Sequence, residues 1–381
     1  MPSPPVRHVF ICAGDHSGDH HAARLAEQIR GLSPSTRLSG FGGPAMADAG
    51  VDLVECLTDH AVMGFSRVLR ALPKFMGLLA RAARWMEQSQ PDVCVLVDFP
   101  GFNMNLAALA HARGIPVVYY ICPQLWAWAP WRVRRFARRV DRALVIFPFE
   151  ETYYTSHGIS ARFVGHPVAD SVADSECAEV ERDEDLVCLL PGSRRQEITA
   201  NLPIMLEVAH RLRERQPRLR FHVPHLHAHR HGLLREVFQA GPLDPVPTLD
   251  TDYEETLRRA RLALVTSGTA TLDVALRGTP MVVLYKTSPT LARASRFLLN
   301  VPFIAQVNLI AGREVVPEFL TSGSPVDAVL EKARDLILDG APRDACRDGL
   351  LEVARRIGSP GAARRAAGEI LGLPEPPHRG H

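Results

Sequence analysis

At 381 residues the chain exceeds what one hydrophobic core ordinarily serves, so two domains are expected. A content of 46% hydrophobic and 23% charged residues excludes a disordered chain, and a formal net charge of +2 gives no bulk electrostatic case for nucleic acid. The seven cysteines are odd in number, scattered and without a C-x-x-C pair, which excludes a disulfide framework or a zinc ribbon and reads as reduced thiols.

The N-terminal stretch Met1 to Val6 is proline-rich and lacks a long apolar run, so no secretory signal is expected. The longest membrane-span candidate, Gly114 to Trp131, is broken by Pro116, Pro123, Gln124 and Pro130, so no span is expected either. Apolar runs of strand length at Val9–Ala13, Val93–Val97, Val117–Ile121 and Ala143–Phe147 alternate with helical stretches near Ala22–Arg30, Ser66–Gln88, Asn103–Arg113 and Trp131–Arg139. Such alternation predicts parallel strands with right-handed crossovers, an α/β doubly wound sheet. From Ala169 to Asp185 the chain turns polar and acidic, and the domain boundary is placed there. The alternation restarts with strands at Leu186–Leu190, Leu219–Val223, Leu262–Thr266 and Met281–Tyr285 and helices at Glu197–Arg215 and Thr269–Arg277. The organisation predicted is a first domain over 1–168, a second over 169–345, a helical segment over 346–373 packing back on the first domain, and a disordered tail over 374–381.

Six segments stand where such folds place chemistry, at the carboxyl edge of a strand. The first strand runs into Gly14, Asp15, Ser17, Gly18 and Asp19, where the glycines permit a tight turn and the side chains offer a hydroxyl and two carboxylates. The loop is read as ligand-facing, with Asp19 capping its own helix. Gly40-Phe41-Gly42-Gly43-Pro44-Ala45 imitates a dinucleotide fingerprint, but it follows the second strand of the unit and not the first, so that reading is set aside. Asp98 ends the strand Val93–Val97; position alone leaves it open between a structural acceptor and a general base. Trp126 and Trp128 precede a helix, as core residues or as an apolar wall for a sugar face or an acyl chain. In the second half, Gly192, Ser193 and Arg194 at one helix start and Ser267, Gly268 and Thr269 at another suit a diphosphate. Asp273, one turn further on, is placed to accept from a ribose diol.

Two charged tracts remain. His222, His225, His227, His229 and His231 crowd one loop without accompanying Cys, Asp or Glu ligands, and adventitious metal affinity is the reading preferred over a functional site. Ser66 to Met86 carries Arg67, Arg70, Lys74, Arg81 and Arg84 with no acid, interleaved with apolar residues, and Arg132 to Arg142 carries six arginines against Asp141. Both fit a peripheral contact with anionic lipid.

In order along the chain, AGDHSGD, GFGGPAM, AVMGFSRVL, PDVCVLVDFPGFN, PQLWAWAPWRVRR, FVGHPVAD, LLPGSRRQEI, SGTATLD and NLIAGREVVPEFL resemble the lipid-A-disaccharide synthase family, over about residues 7 to 335. The resemblance implies a GT-B architecture, two Rossmann-like domains facing a cleft, and an inverting glycosyltransferase. It implies transfer of 2,3-diacylglucosamine from UDP-2,3-diacylglucosamine to the 6-hydroxyl of 2,3-diacylglucosamine 1-phosphate, giving a β-1,6-linked disaccharide and UDP. It places the general base at Asp98 and substrate contacts at Gly14, Asp15, Ser17, Gly18, Asp19, Trp126, Asn308, Arg313 and Glu314. UDP contacts fall at Gly192, Ser193, Arg194, Ser267, Gly268, Thr269 and Asp273. No cofactor and no metal are implied, since Asp15 and Asp19 lack the D-x-D spacing of a metal-bridged transferase. A cytoplasmic location peripheral to the inner membrane, held through Ser66 to Met86, follows, with a homodimer left open. Asp15, Gly101, Gln124, Asp273 and Val307 depart from the family pattern, which bears on acyl preference and rate. The competing readings are a UDP-N-acetylglucosamine epimerase, a lipid-linked N-acetylglucosaminyltransferase, and a silent lipid- or nucleotide-binding protein that keeps the fold.

Overall fold

The computed structural model describes residues 6–58, 68–174, 181–225, 228–290, 293 and 301–372. The tail 374–381, part of the acidic stretch (175–180), Ser66 and Arg67, and His227 lie outside them. Two compact units emerge: one of the residues up to Pro167 together with those from Ser359, the other Val168–Gly358.

In the first unit, strands β1 (His8–Ala13), β2 (Arg37–Gly42), β3 (Asp52–Cys56), β4 (Val93–Val97), β5 (Val117–Tyr120), β6 (Arg142–Val145) and β7 (Ser160–Phe163) form one parallel sheet in the order β3-β2-β1-β4-β5-β6-β7. β1, β4 and β5 are buried along their whole length. That explains why they read as continuous apolar runs, as parallel strands covered on both faces must. One face packs Phe10, Cys12, Leu96, Tyr119 and Val145 against Phe102, Phe136 and Tyr154 from the helices Pro100–His111, Val133–Ala137 and Pro148–Ser156. Helix His16–Leu32 packs against helix Ala362–Leu371. The latter is tied to the unit by Arg365 Nε donating to the Val164 carbonyl at 2.8 Å and by the Arg142–Glu369 ion pair at 2.7 Å.

The glycine block at the end of β2 has a packing cause. A Cβ on Gly40 would lie 1.9 Å from the Ile11 carbonyl oxygen of β1, and one on Gly42 would lie 2.1 Å from the Met46 sulfur. These glycines let β2 and the following helix approach their neighbours closely, and they cradle no dinucleotide.

In the second unit, β8 (Asp183–Leu190), β9 (Arg220–Pro224), β10 (Thr248–Asp250), β11 (Ala260–Thr266), β12 (Met281–Lys286) and β13 (Glu318–Thr321) pair in parallel in the order β10-β9-β8-β11-β12-β13. The edge strands β3, β7, β10 and β13 went unread in the sequence because each is short and only half-covered, so none carries a continuous apolar run. β5 stops at Tyr120, one residue before the expected end, because Ile121 takes φ +59°. Among the described residues no helix is long and apolar enough to cross a membrane.

Candidate functional site

Both sheets reverse their strand order once, between β1 and β4 in the first unit and between β8 and β11 in the second. Crevices at the carboxyl ends of such strand pairs are where open α/β sheets bind ligands. Most of the predicted residues lie at these two places.

In the first unit, Asp98 leaves β4 with φ +46° and Phe99 follows with φ +49°. Two consecutive non-glycine residues in the left-handed region store strain, and such strain concentrates where side chains must be aimed. The surroundings hold it in place. Asn103 Nδ2 donates to the carbonyls of Val97 (3.1 Å) and Asp98 (2.7 Å), and the Tyr119 hydroxyl donates to the Asp98 carbonyl at 2.7 Å. The Phe99 ring lies over Gly14, where a Cβ would come within 1.9 Å of the ring, so Gly14 must be glycine. Burial, seconded by the negative charge of Asp15, pushes the Asp98 carboxyl up to about 6, against the pull of the Phe99 amide. A carboxylate tuned to that range accepts a proton near neutral pH and gives it up readily. Asn103 and Tyr119, which the sequence reading passed over, are its supports; only the position of Asn103 in the same motif as Asp98 signalled it.

Asp15 takes the cap expected of Asp19, and Asp19 caps a different helix. Asp15 is the N-cap of helix His16–Leu32, accepting from the Gly18 amide at 2.7 Å. Asp19 is 0% exposed and accepts from the amides of Gly43 (2.7 Å), Ala45 (3.0 Å) and Met46 (3.2 Å). It therefore caps the next helix, Pro44–Asp48, and its carboxylate is fully engaged away from any substrate. Ser17 is exposed and Gly18 is buried. The Trp126 indole donates to Glu150 at 2.9 Å and stands edge-on to Phe147 and Phe149. Glu150 is itself fully buried and is pushed up to about 7 by that burial. Trp126 is thus anchored from behind, while Trp128 and Trp131 point outward.

In the second unit a pocket of about 590 Å³ opens at the carboxyl ends of β8, β9 and β11. Gly192, Ser193, Arg194, Ser267, Gly268, Thr269 and Asp273 all line it. Gly192 has φ +99°, and a Cβ there would lie 2.6 Å from Glu197 Oε2. Three expectations need correction at this pocket. Glu197 Oε2 already accepts from the amides of Ser193 (3.2 Å) and Arg194 (3.1 Å), so the start of helix Arg195–Arg215 is capped and not a bare anion site. The Ser267 hydroxyl donates to the Ile304 carbonyl at 2.8 Å and keeps only its lone pairs for a ligand. The Asp273 carboxylate pairs with Arg277 and accepts from Tyr253, and Arg277 also pairs with Glu254. Burial pushes the Asp273 carboxyl up, with Arg277 pulling against it.

Tyr253, Glu254, His225 and Thr266 also line the pocket, and sequence reasoning assigned them no part in it. The Thr266 hydroxyl is buried and has no hydrogen-bond partner among the described residues. Its place as the last residue of an apolar strand before S-G-T was the available signal.

The remaining expectations disperse. Asn308 is buried; its Oδ1 accepts from the amides of Val315 (2.8 Å) and Val316 (3.0 Å), and its Nδ2 donates to the Val316 carbonyl and to Glu318. It locks a turn of the second unit, with both of its side-chain polar atoms engaged. Arg313 pairs with Glu352 at 2.6 Å and Glu314 is exposed; neither lines the pocket. The histidines also separate. His222 bonds Asp250 at 3.3 Å, His225 Nε2 meets the Gly192 carbonyl at 3.3 Å, and His231 meets the His225 carbonyl at 3.0 Å. Among the described residues no group of three or more His, Cys, Asp or Glu is arranged to hold a metal.

Comparison with known proteins bears on the family and the fold. A family model described as lipid-A-disaccharide synthetase matches residues 9–356. The chain is 38% identical over 383 residues to a lipid-A-disaccharide synthase of Myxococcus xanthus, covering 99% of each. It is 37% identical over 371 residues to that of Acidobacterium capsulatum, covering 93% of each. Among solved structures, S. aureus MnaA in a co-structure with UDP superposes with TM-score 0.65 at 13% identity, covering 96% of both chains. Acinetobacter baumannii MurG gives TM-score 0.59 at 14% identity, covering 96% of this chain and all of that one. At such identities these two speak for the fold alone, which is GT-B.

Proposed function

The chain belongs to the lipid-A-disaccharide synthetase family, and from that membership we propose how its own residues divide the work. Its activity is the family's, synthesis of the lipid A disaccharide by glycosyl transfer. The donor in this reading is UDP-2,3-diacylglucosamine and the acceptor 2,3-diacylglucosamine 1-phosphate.

The observation that carries the reading is Asp98, a strained, half-buried carboxyl at the switch point of the first sheet, raised to about 6. As the acceptor 6-hydroxyl oxygen forms its bond to the donor's anomeric carbon, the Asp98 carboxylate takes the hydroxyl proton. The bond from that carbon to the diphosphate oxygen breaks on the opposite side, and UDP leaves with the electron pair. One displacement inverts the anomeric centre, which accounts for a β linkage. Asp15 faces Asp98 and keeps its carboxyl from ionising too readily; Ser17 and Trp126 complete the acceptor's surroundings.

UDP is assigned to the pocket of the second unit. Developing charge on the leaving diphosphate calls for preset donors, and the Thr266 hydroxyl, without a partner among the described residues, the Thr269 hydroxyl and the Arg194 guanidinium supply them. Arg194 is 81% exposed and, among the described residues, pairs with Glu197 alone, so it can swing to a phosphate. With Asp273 engaged by Arg277, Glu254 on the pocket wall shares the ribose diol with it. We place the chain at the cytoplasmic face of the inner membrane, held through Ser66 to Met86; Lys74 and Arg84 in its described part are exposed.

The test is incubation of the purified chain with the two acylated sugars in detergent, following the disaccharide by mass spectrometry and UDP release in parallel. A β-linked disaccharide 1-phosphate is expected. Absence of product, or equal turnover of the same sugars without acyl chains, overturns the reading.

A further inference from the structure

We propose, on the reading that the acceptor sugar lies at the carboxyl edge of the first sheet, that Glu150 is a positioning residue for acceptor binding and acts through the Trp126 indole.

Strands β4, β5 and β6 are parallel neighbours, so the loops that follow them open on one edge. Asp98 follows β4, Trp126 lies in the short helix Leu125–Trp128 after β5, and Glu150 lies in the first turn of the helix Pro148–Ser156 after β6. Glu150 and Tyr154 are four residues apart, hence on one face of that helix, and both are 0% exposed. Each reaches the loop that follows β5. The Tyr154 hydroxyl donates to the Pro123 carbonyl at 2.5 Å, and Glu150 Oε1 accepts from the Trp126 indole at 2.9 Å. The Trp126 ring stands edge-on to Phe149 with 4.9 Å between centroids, and Phe149 stacks on Phe147 at 5.6 Å. Trp126 and Phe149 are half-buried, so they form a corner of two rings anchored in the protein and still open in part. Aromatic corners of this kind take the apolar face of a sugar ring.

Capping its own helix does not account for Glu150. Oε2 accepts from the amides of Ile146 (3.3 Å) and Phe147 (3.2 Å), a task that a neutral glutamine performs as well. The second oxygen is committed to Trp126. Three N–H groups thus converge on two oxygens, and only an ionised carboxylate has no hydrogen of its own to set against them. No cation pairs with it among the described residues. Cys122 on the loop after β5 and Tyr154 on the same helix are kept neutral by burial, as is His166, which packs on Phe147 at 5.3 Å. Burial accordingly pushes the Glu150 carboxyl up to about 7, while the Trp126 N–H and the two amides pull it down. Linkage makes that pull reciprocal: a proton on the carboxyl weakens the hold on the indole. Acceptor affinity is therefore full above the carboxyl's value of about 7 and declines as pH falls through it.

The full chain and its Glu150→Gln, Trp126→Phe and doubly substituted variants are titrated by calorimetry with 2,3-diacylglucosamine 1-phosphate in detergent, at about pH 8 and about pH 6. Disaccharide formation at saturating acceptor is followed alongside. Trp126→Phe keeps a ring and removes the N–H, so it carries the test without touching the buried carboxylate. At the higher pH each single variant should bind the acceptor about tenfold more weakly, the effect of losing a hydrogen bond to a charged group. The double variant should bind within about twofold of the weaker single one, since Glu150 acts through Trp126. At the lower pH the wild type should approach Glu150→Gln. Its kcat at saturating acceptor should stay within about threefold of wild type, whereas unfolding or a displaced Asp98 lowers it. Affinity of either single variant equal to wild type overturns the proposal, as do losses that multiply in the double variant, a gap that is the same at both pH values, or a fall in kcat with acceptor affinity unchanged. Binding that follows the variants while the wild type makes no disaccharide upholds Glu150 and removes the functional reading instead; an acceptor that the wild type does not bind removes both.

Discussion

Replacing Asp98 by Asn should make the chain both slower and more stable. Asparagine is nearly the same size and tolerates the left-handed backbone about as well as aspartate, so φ +46° adds no new strain. What disappears is the charge. Raising the carboxyl from 3.8 to about 6 means that the folded chain holds a proton the unfolded chain has released throughout that pH window. Stability therefore falls as pH rises from 3.8 to about 6 and stays reduced above it, by about 3 kcal/mol at most when each pH unit is worth roughly 1.4 kcal/mol. Asp98→Asn should recover a sizeable part of this, on the order of 1–3 kcal/mol at about pH 7.5, with the advantage vanishing below about pH 4. Turnover should drop by about 10²- to 10⁴-fold, the range for losing a positioned base, with UDP affinity unchanged. Urea titrations at the two pH values and a UDP-release assay read both halves. A variant that unfolds no later than wild type at about pH 7.5 refutes the burial argument, and one that keeps its turnover refutes the assignment of the base.

Three further perturbations separate the parts of the site. Asp15→Asn keeps the helix cap but removes the charge facing Asp98, so the acid limb of the pH–rate profile should move down; since burial is the larger cause, the move should be under about one pH unit, and an unmoved limb would discard the coupling. Asp19→Ala leaves the amides of Gly43, Ala45 and Met46 without their acceptor and should lower stability by about 3 kcal/mol or more in urea titration; a change under about 0.5 kcal/mol, the ordinary surface value, contradicts the clamp. Gly192→Ala places a Cβ 2.6 Å from Glu197 Oε2 at φ +99°, and calorimetry should show UDP binding weakened about tenfold or more; unchanged affinity would remove this turn from the nucleotide site.

The central strands were legible because burial on both faces writes itself as unbroken apolar runs, as in Val93–Val97 and Leu262–Thr266. Edge strands such as Ser160–Phe163 were not, since half-covered strands of four residues leave no period to detect. The positions of the candidate site loops followed from the same runs, because they stand where those strands end. The division of labour inside a loop did not. Asp15 and Asp19 are four residues apart on one turn, yet one is half-buried beside Asp98 and the other is spent on a segment 24 residues away. Likewise Ser267, Asp273 and Asn308 carry the right chemistry for a ligand and are claimed by internal partners. Such competition is decided by three-dimensional neighbours, and a pattern of residue types contains no trace of it.

The passage of helix Ala362–Leu371 to the first unit has a bearing on how the chain is made. The second unit, Val168–Gly358, is one continuous stretch, while the first draws on both sides of it. On a ribosome, the strands of the first unit emerge earliest but wait for Arg365 and Glu369, which arrive only after the whole second unit has been synthesised. The unit that holds Asp98 is therefore completed last, and the surface of helix His16–Leu32 that the late helix covers stays open through most of translation. A truncation before residue 359 should leave UDP binding intact while exposing that surface to chaperones and proteases.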